Sequence, residues 1–242
     1  MTYKEWKKVY DWAVENGYRF HWPGQRGSDS GREELSDTAI NNKHPVVKIT
    51  WYDMIRWCNA KSEKENRTPV YYTNDDLTDV FREFQHDVTN NQVLWDADGY
   101  RLPTEAEWEK AARGGLNGKR FAWGNESIDS MRANYNRNEE GTTPVGMYPP
   151  NGYGIYDAAG NVWEAVWDWR DPDWYRSTAA REPDTRGPFS VRHLKGTSYR
   201  VLRGGGWNSD EVDCRVAARS WWPPYFESAY VGFRLVRGNG ED

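Results

Sequence analysis

The sequence predicts an α+β domain with helices in its N-terminal half, an irregular sheet in its C-terminal half and little regular secondary structure. Two observations lead to this prediction. Apolar residues recur at helical spacing only before Gly115, and beyond it they form short runs separated by glycine, asparagine, proline and aspartate. Because no linker or internal repeat interrupts the 242 residues, a single domain over residues 1–242 is the simplest account.

The first two helices are predicted from apolar periodicity and from their end signals. The first covers Tyr3–Asn16, because apolar residues recur at i, i+3, i+4 and i+7 from Trp6 to Ala13. Thr50 with Asp53 can cap the start of the second helix, whose following turns carry one apolar face. Both helices are therefore expected to bury one face in a core.

A third helix and two connecting segments complete the N-terminal half. Thr104 and Glu107 have the spacing of a capping box, and Gly114-Gly115 is a helix stop. A short strand is expected over Val46–Ile49. The polar stretch Gln25–Asn42 contains glycine and serine and is expected to be a surface loop.

An aromatic segment, Ser220–Tyr230, lies between stretches that have the pattern of strands. Those stretches are Arg203–Trp207 with Cys214–Arg219 on one side and Val231–Arg237 on the other. The segment carries five aromatic residues and two prolines in eleven positions. Because Pro223-Pro224 excludes a helix interior and a central strand, the aromatic residues are expected on a loop beside a rigid scaffold.

Two interpretations of the aromatic segment are open. Tyrosine and tryptophan on loops are typical of a paratope, where they provide contact area at low entropic cost. Alternatively, the rings turn inward and fill an ordinary core. The chain has 15 Trp and 15 Tyr but only 7 Phe, so most of its rings carry N–H or O–H groups that need partners when buried. The surface interpretation is favoured.

Composition excludes several classes of protein. The net charge is −5 with a pI of about 5.5, and no basic cluster is present, which argues against a nucleic-acid partner. No run of 18 apolar residues predicts a transmembrane helix, and no signal peptide is present. Cys58 and Cys214 cannot form a disulfide framework. They are expected to be buried free thiols, with a single disulfide as the alternative.

Three motifs stand in order along the chain and form a specific combination. The first is Gly99–Glu109, GYRLPTEAEWE. The second runs from Asn151–Asp157, NGYGIYD, to Gly160–Glu164, GNVWE. The third joins Arg203-Gly204-Gly205 to Gly232-Phe233-Arg234. Together they resemble the sulfatase-modifying-factor family, whose type member is the formylglycine-generating enzyme. The resemblance implies a C-type-lectin-like fold of the formylglycine-generating-enzyme type over nearly the whole chain.

Two catalytic branches of that family do not match this sequence. The oxidase branch uses two cysteines after its Gly-Gly turn to bind copper, because soft thiolates hold Cu(I). The matching loop here, Asn208–Asp213, has no cysteine, and Cys214 matches neither catalytic position. We therefore expect no copper and no oxidase activity. The iron-dependent branch needs a histidine cluster, whereas the histidines here are scattered, at His21, His44, His86 and His193.

The C-terminal part most resembles hypervariable members of the family, including treponemal ones, that are diversified by retroelements. In those proteins a fixed scaffold surrounds positions changed by adenine-directed mutagenesis. The resemblance places a variable ligand-binding region at about residues 206–231. Its candidate positions are Asn208, Ser209, Asp210, Asp213, Ala218, Ser220, Trp221, Trp222, Pro223, Tyr225, Phe226, Ser228, Ala229 and Tyr230.

Codon chemistry limits some of these assignments. Trp and Glu cannot arise by changing only the adenines of an asparagine codon. Trp221, Trp222 and Glu227 therefore need other template codons. We expect the five aromatic side chains of the segment to share one exposed face with Asn208, Ser209 and Asp210.

The resemblance also implies a location and a kind of partner. Hypervariable members of the family are displayed on the bacterial cell surface or secreted. A lipid anchor upstream of Met1 is expected to provide any membrane attachment. The partner is expected to be a protein or a glycan, since aromatic faces suit both.

A calcium site is expected at Asp157, Gly160, Val162 and Glu164, which match calcium-binding positions of the oxidases. Two carboxylates with backbone carbonyls between them can wrap a Ca²⁺ ion. The alternative is that Asp157 caps a turn and Glu164 pairs with an arginine. The family's other calcium loop is shortened here around Asn134–Glu140, so no second site is expected.

Three functions remain open from the sequence. The favoured one is a non-enzymatic, receptor-like or adhesin-like protein that displays a variable ligand-binding surface. The second is an oxidase of the formylglycine-generating type, or a degenerate homologue of it, against which the missing cysteine pair argues. The third is a purely structural domain with an aromatic core.

Overall fold

The computed structural model describes residues 1–28, 41–83, 86–189 and 197–240. Its α-helices are α1 (Tyr3–Glu15), α2 (Trp51–Lys64) and α3 (Glu105–Arg113). The predicted end signals are confirmed in detail. The Thr104 side chain accepts a hydrogen bond from the Glu107 N–H, the Glu107 carboxylate accepts one from the Thr104 N–H, and Gly114 ends the helix in the left-handed conformation.

The second helix has the same cap but a different environment. Thr50 and Asp53 form a reciprocal capping box, as predicted. Buried positions continue on every side of α2 from Trp51 to Ser62, so this helix runs through the core and does not lie on its surface. In contrast, α1 buries only the face with Trp6, Val9 and Ala13.

The strands are short, as predicted. They are β1 (Gln25–Arg26), β2 (Val46–Val47), β3 (Tyr100–Arg101), β4 (Trp163–Trp169), β5 (Arg200–Arg203), β6 (Ser220–Trp222), β7 (Val231–Phe233) and β8 (Val236–Arg237). Single turns of 3₁₀ helix lie at Asn41–Lys43, Asn90–Gln92, Trp174–Arg176 and Ala179–Arg181. The central sheet has the order β6-β5-β4-β7, with β7 parallel to β4 and the other neighbours antiparallel.

The central sheet separates two different packing layers. Ala165 and Trp167 of β4 face the large core that contains α1 and α2. Val166, the residue between them, faces a smaller core beneath Trp108 of α3, together with Val201 of β5. This alternation follows from the two-residue period of a strand. We call these the α2 side and the α3 side of the sheet.

The structure corrects four strand predictions. Of Arg203–Trp207, only Arg203 lies in a strand, because β5 ends at that residue. Cys214–Arg219 forms turns and no strand. The predicted strand Val46–Ile49 stops at Val47 because Lys48 has a φ of 58°. Val231–Arg237 is not continuous, since Arg234 leaves the sheet to reach Glu164.

The aromatic segment also differs from prediction. Its first three residues form β6, at the edge of the sheet, so Trp221 and Trp222 lie on a strand and not on a loop. The position beside Pro223-Pro224 is consistent with the rule that proline ends or borders an edge strand. Of the predicted loop Gln25–Asn42, residues 29–40 lie outside the described residues, as does His193.

Both cysteines are buried and free, which confirms the prediction for Cys58 and Cys214. Burial raises the pKa of the Cys214 thiol to about 12, so at neutral pH it is not a thiolate. Within the described residues, no helix combines the length and the apolar character that crossing a membrane requires.

Candidate ligand-binding surface

The edge strand β6 presents its two tryptophans to opposite sides of the sheet. Trp222 is paired with Arg200 and Trp221 with Val201. Because Val201 packs in the small core under α3, Trp221 projects on the α3 side and Trp222 on the α2 side. The expectation that all five aromatic residues share one face is therefore wrong for Trp221.

The other aromatic residues of the variable region make contacts at β6, in the loop after it and at the turn after β5. We call them the aromatic surface: Trp207, Trp222, Tyr225, Phe226 and Tyr230. The ring centroids of Tyr225 and Phe226 lie 4.8 Å apart, and those of Trp207 and Tyr230 lie 5.5 Å apart. The Trp222 indole N–H donates to the Phe226 carbonyl at 3.1 Å. These contacts link β6, the loop after it and the turn after β5.

The aromatic surface is exposed. Trp222, Tyr225, Phe226 and Tyr230 keep between 36% and 54% of their surface in contact with solvent. Rings of this size usually bury most of their area, so these four side chains are more exposed than is usual for their type.

Backbone hydrogen bonds hold the loop after β6 against the scaffold. The Trp51 N–H donates to the Pro224 carbonyl at 3.0 Å, at the start of α2. The Lys48 N–H donates to the Ser228 carbonyl at 2.8 Å, and the Trp163 N–H donates to the Tyr230 carbonyl at 2.8 Å. The loop is thereby fixed at both ends and at its middle, which reduces the entropy that ligand binding would cost.

Trp222 has a rigid support beneath it. The guanidinium of its register partner Arg200 is fully buried and lies 3.3 Å from the ring centroid of Trp169 and 3.6 Å from that of Trp51. Burial lowers the pKa of Arg200 to about 9. Arg200 also donates to the carbonyls of Trp167 and Val88, so it ties the edge of the sheet to the core.

The candidate positions fall into three groups by exposure. Exposed side chains are Asp210, Trp221, Trp222, Tyr225, Phe226 and Tyr230. Half-buried ones are Asn208, Asp213, Ser220, Pro223 and Ala229. Buried ones are Ser209, Ala218 and Ser228.

The buried positions correct part of the expected surface. The Ser209 hydroxyl accepts from the Gly206 N–H at 3.0 Å and holds the turn after β5, so Ser209 does not share the exposed face. The Ser228 hydroxyl accepts from the Tyr230 N–H at 3.1 Å and shapes the loop after β6. Ala218 packs with only 8% of its surface exposed.

The α3 side of the edge strand carries charge as well as rings. The Arg170 guanidinium lies 3.9 Å from the ring centroid of Trp221, and that of Arg219 lies 5.0 Å from the ring centroid of Tyr175. The sequence reasoning missed Arg170 and Tyr175, which precede the variable region. The period-two spacing of Arg219 and Trp221 was the one available sign that they lie on the same side.

A buried ionic network lies behind these residues. The Glu105 carboxylate has no solvent exposure and accepts from Arg203 at 2.9 Å and from Arg219 at 2.6 Å. Asp168 accepts from the Glu105 N–H at 2.6 Å. Burial, with the neighbouring Glu105 charge, raises the pKa of Asp168 to about 7.

The residues of the expected calcium site are near one another but are largely occupied. Arg234 donates to both oxygens of Glu164, and the Trp108 indole N–H donates to one of them at 2.6 Å. The Asp157 carboxylate accepts from the Gly146 N–H at 2.8 Å, and its other oxygen is buried without a hydrogen bond. Asp157 therefore has one oxygen available for an ion. Glu164 could bind the same ion only by giving up its pairing with Arg234.

The other two members of the expected set contribute backbone only. Gly160 has a φ of 77°, and a Cβ added there would meet the Asn134 carbonyl at 2.1 Å. Val162 is buried. Among the described residues, no three histidine, cysteine, aspartate or glutamate side chains converge in a way that could hold a metal ion. Calcium stays a prediction.

Comparison with known proteins identifies the family to which this fold and these motifs belong. The family model described as the sulfatase-modifying factor enzyme 1-like domain matches residues 1–239. The chain belongs to this family. The formylglycine-generating enzyme of Streptomyces coelicolor is 43% identical over 237 residues, an alignment that covers 89% of this chain and 60% of that enzyme. The predicted fold class is thereby confirmed.

Two solved structures are similar over almost the whole chain. Treponema denticola variable protein 1 is 30% identical, with a TM-score of 0.72, covering 98% of this chain and 82% of that protein. The crystal structure of CarF is 28% identical, with a TM-score of 0.76, covering 98% of this chain and 83% of that protein. The family thus includes proteins named as enzymes and one named as a variable protein. The chain spans about half to three fifths of the length of two curated enzyme relatives.

Proposed function

We propose that this chain is a non-enzymatic ligand-binding domain whose variable region displays a binding surface on a fixed scaffold. The observation that carries the proposal is the exposed group of rings at Trp222, Tyr225, Phe226 and Tyr230, fixed by backbone hydrogen bonds to the scaffold. Rigid, exposed aromatic residues are the usual anchors of protein and glycan recognition. The similarity to Treponema denticola variable protein 1 supports the same function.

The arrangement of buried and exposed positions supports diversification. The exposed positions can change without disturbing the core, whereas the Ser209 and Ser228 hydroxyls hold turns and Ala218 is buried. If a retroelement diversifies the region, its substitutions should concentrate on the exposed and half-buried candidates. Trp51 and Lys48, whose backbone N–H groups hold the loop, lie outside the variable region, so diversification leaves these hydrogen bonds in place.

Sequencing the coding region from many cells of one culture lineage tests this proposal. We expect substitutions at adenines of the template, confined to residues 206–231, with a reverse transcriptase gene and a near-repeat of the region beside the coding sequence. Substitutions spread evenly over residues 1–242 would overturn the proposal.

The second candidate function is an oxidase of the formylglycine-generating type, which the 43% identity to the Streptomyces coelicolor enzyme favours. Against it, the loop Asn208–Asp213 has no cysteine, and the Cys214 thiol is buried with a raised pKa. The assay is incubation with copper, a reductant and a cysteine-containing sulfatase peptide. We expect no formylglycine above a no-protein control, and its formation would favour the enzyme.

We propose a structural calcium ion at Asp157 as a separate feature, supported by its unpartnered buried oxygen. An ion bound only by the folded protein raises stability by about 2.7 kcal/mol at a hundredfold excess over Kd. Thermal melts with Ca²⁺ and with a chelator should differ. Coincident melts, with no calcium by elemental analysis, would exclude the site and leave Arg234 as the permanent partner of Glu164.

We also propose that the domain acts at the bacterial cell surface or after secretion. The support is the family resemblance of its variable region. Surface labelling of intact cells with an antibody against the domain would test it, and labelling only after lysis would contradict it.

A further inference from the structure

A cavity of about 300 Å³ is formed by residues 122–132 and 149–159. None of these residues belongs to the variable region at residues 206–231. The apolar part of its wall comes from six small or rigid side chains: Ala122, Pro149, Pro150, Ile155, Ala158 and Ala159. A cavity of this volume is at the lower end of the usual range of small-ligand sites.

Two side chains of the wall each hold a buried polar atom that has no hydrogen-bond partner among the described residues. They are the indole N–H of Trp123, a donor, and the Oδ1 oxygen of Asp157, an acceptor. Trp123 packs against the two clusters that contain Ala158 and Ala159, the residues next to Asp157, so the two groups are neighbours in the fold. Buried polar atoms are rarely left without a partner, so a donor and an acceptor on one cavity indicate that their partner occupies it.

Both groups are held in place by other contacts. The ring of Trp123 stacks on that of Phe121 with centroids 5.1 Å apart, and the Arg132 guanidinium lies 5.7 Å from the Trp123 centroid. The second carboxylate oxygen of Asp157 accepts from the Gly146 N–H at 2.8 Å. A donor and an acceptor that are fixed before binding reduce the entropy that binding costs.

The charged groups beside Trp123 have an excess of negative charge. Arg132 pairs with Glu126 at 2.5 Å and with Asp129 at 3.5 Å. One cation thus faces two carboxylates at this end of the cavity.

The charges that act on Asp157 do not reverse this excess. Arg234 forms an ion pair with Glu164, and the amino group of Met1 balances the carboxylate of Asp157 itself. The groups around the cavity therefore sum to one negative charge, which favours a cationic ligand over an anionic one.

We propose that this cavity binds a small primary ammonium compound that carries a carbonyl oxygen next to its charged end, the pattern of an aminoacyl group. The ammonium donates to Oδ1 of Asp157, and the carbonyl oxygen accepts from the indole N–H of Trp123. A short apolar side chain packs against the prolines and alanines of the wall. Amino acid amides and the first residue of a peptide share this chemistry.

The proposal goes beyond the proposed function, because the cavity belongs to the scaffold and every variant of the domain would keep it. The calcium ion proposed above would compete for the same oxygen of Asp157. The titrations described below therefore contain a chelator.

Titration of isotope-labelled protein with leucinamide, followed by NMR, tests the proposal. We expect saturable binding with a Kd of about 1 mM or tighter, and a shift of the Trp123 indole N–H resonance, which is identified by its absence in W123F. Isoamylamine lacks the carbonyl and isocaproamide lacks the ammonium, so each should bind about tenfold more weakly or less. A leucine-initiated tripeptide distinguishes the sources: its binding assigns the site to peptide amino termini, and its exclusion assigns it to free amino acid derivatives.

Two conservative variants test the two polar contacts. D157N keeps the shape of the side chain and removes its charge, and it should weaken leucinamide binding by about tenfold or more. W123F keeps the stacked ring and removes the N–H, and it should weaken binding by about threefold to tenfold, read from backbone amide shifts. The matched controls are E15Q and W22F, which change an exposed carboxylate and an exposed ring that do not line the cavity.

Four results would overturn the proposal. They are no binding of leucinamide by the wild type, equal binding of either comparison compound, unchanged affinity in both D157N and W123F, and an equal loss in the controls. The first would leave water as the partner of both buried atoms. None of them bears on the confinement of substitutions to residues 206–231, which tests the proposed function separately.

Discussion

The two sides of the central sheet are built from different chemistry. On the α2 side, large rings pack against each other: Trp57 stacks on Trp6 with centroids 5.8 Å apart and meets Phe233 edge-on at 5.7 Å. On the α3 side, the buried carboxylates of Glu105 and Asp168 take the corresponding space. Both sides reach solvent at β6. Aromatic rings reach it on the α2 side, and cations with the ring of Trp221 reach it on the α3 side.

The comparison teaches how one aromatic-rich composition serves two purposes. Trp51 and Trp57 on the α2 side donate their indole N–H groups internally, to the Val166 carbonyl and the Trp6 carbonyl. At the edge, Tyr225 and Tyr230 have no side-chain hydrogen bond within the described part of the chain and keep their hydroxyls for a partner.

The largest effect is expected on the α2 side. W57A removes a fully buried ring between Trp6 and Phe233 and should cost about 3–5 kcal/mol of unfolding free energy. Urea denaturation followed by fluorescence measures it. A cost below about 1 kcal/mol would mean that the α2 side is not the main core.

The α3 side should respond to pH in a way that the α2 side does not. The folded pKa of Asp168 is raised to about 7, above the value of an unfolded aspartate. The folded protein therefore holds the proton more tightly, and the wild type loses stability as pH rises from about 4 to about 7. In D168N this loss is absent.

The measurement for D168N is the difference in unfolding free energy from the wild type at several pH values. The unfolding free energy of D168N relative to that of the wild type should increase by roughly 2–4 kcal/mol between pH 4 and pH 7. The comparison at pH 4, where Asp168 is protonated in the folded protein, serves as the internal control. A difference that does not change with pH would contradict the buried position of Asp168.

The two tryptophans of the edge strand allow a direct comparison of the two sides. W222A removes a ring that is paired in register with Arg200 and hydrogen-bonded to the Phe226 carbonyl, and it should cost about 1–2 kcal/mol. W221A removes a ring that contacts Arg170 and should cost about 0.5–1 kcal/mol. Urea denaturation measures both costs. A larger cost for W221A than for W222A would show that the α3 side supports the edge strand more than the α2 side does.

The smallest effect is expected at the tip of the loop after β6. Y225A removes an exposed ring whose main contact is Phe226, so stability should change by about 0.5 kcal/mol or less. A loss of about 3–5 kcal/mol would place Tyr225 in the core instead. Both W57A and Y225A are measured by chemical denaturation in the same experiment, so that W57A gives the cost of removing a buried ring with which Y225A is compared.

Local signals in the sequence predicted the helices well. The capping boxes at Thr50 and Thr104 depend only on residues three positions apart, so their spacing is sufficient. The family motifs identified the fold, because a specific combination of three motifs occurs over nearly the whole chain. The exposure of Tyr225, Phe226 and Tyr230 was also expected from their composition and prolines.

Features that depend on contacts distant in sequence were not predictable. Whether Cys214–Arg219 forms a strand depends on pairing with a neighbouring strand, and among the described residues this segment forms turns instead. The pairing of Trp221 and Trp222 with β5, which sends them to opposite sides, depends on register. Arg170 becomes part of the surface only because its side chain, at the end of β4, reaches the ring of Trp221 on β6, about fifty residues away in sequence.

The central claim is that the exposed residues of the variable region are free to change while the buried ones are not. A library with every substitution at residues 206–233, displayed on yeast and sorted for protease resistance, tests it most directly. We predict that Asp210, Tyr225, Phe226 and Tyr230 accept nearly all residue types, whereas Ser209 and the core residues Val231 and Phe233 of β7 accept few. Equal intolerance at Tyr225, Phe226 and Phe233 would contradict the account.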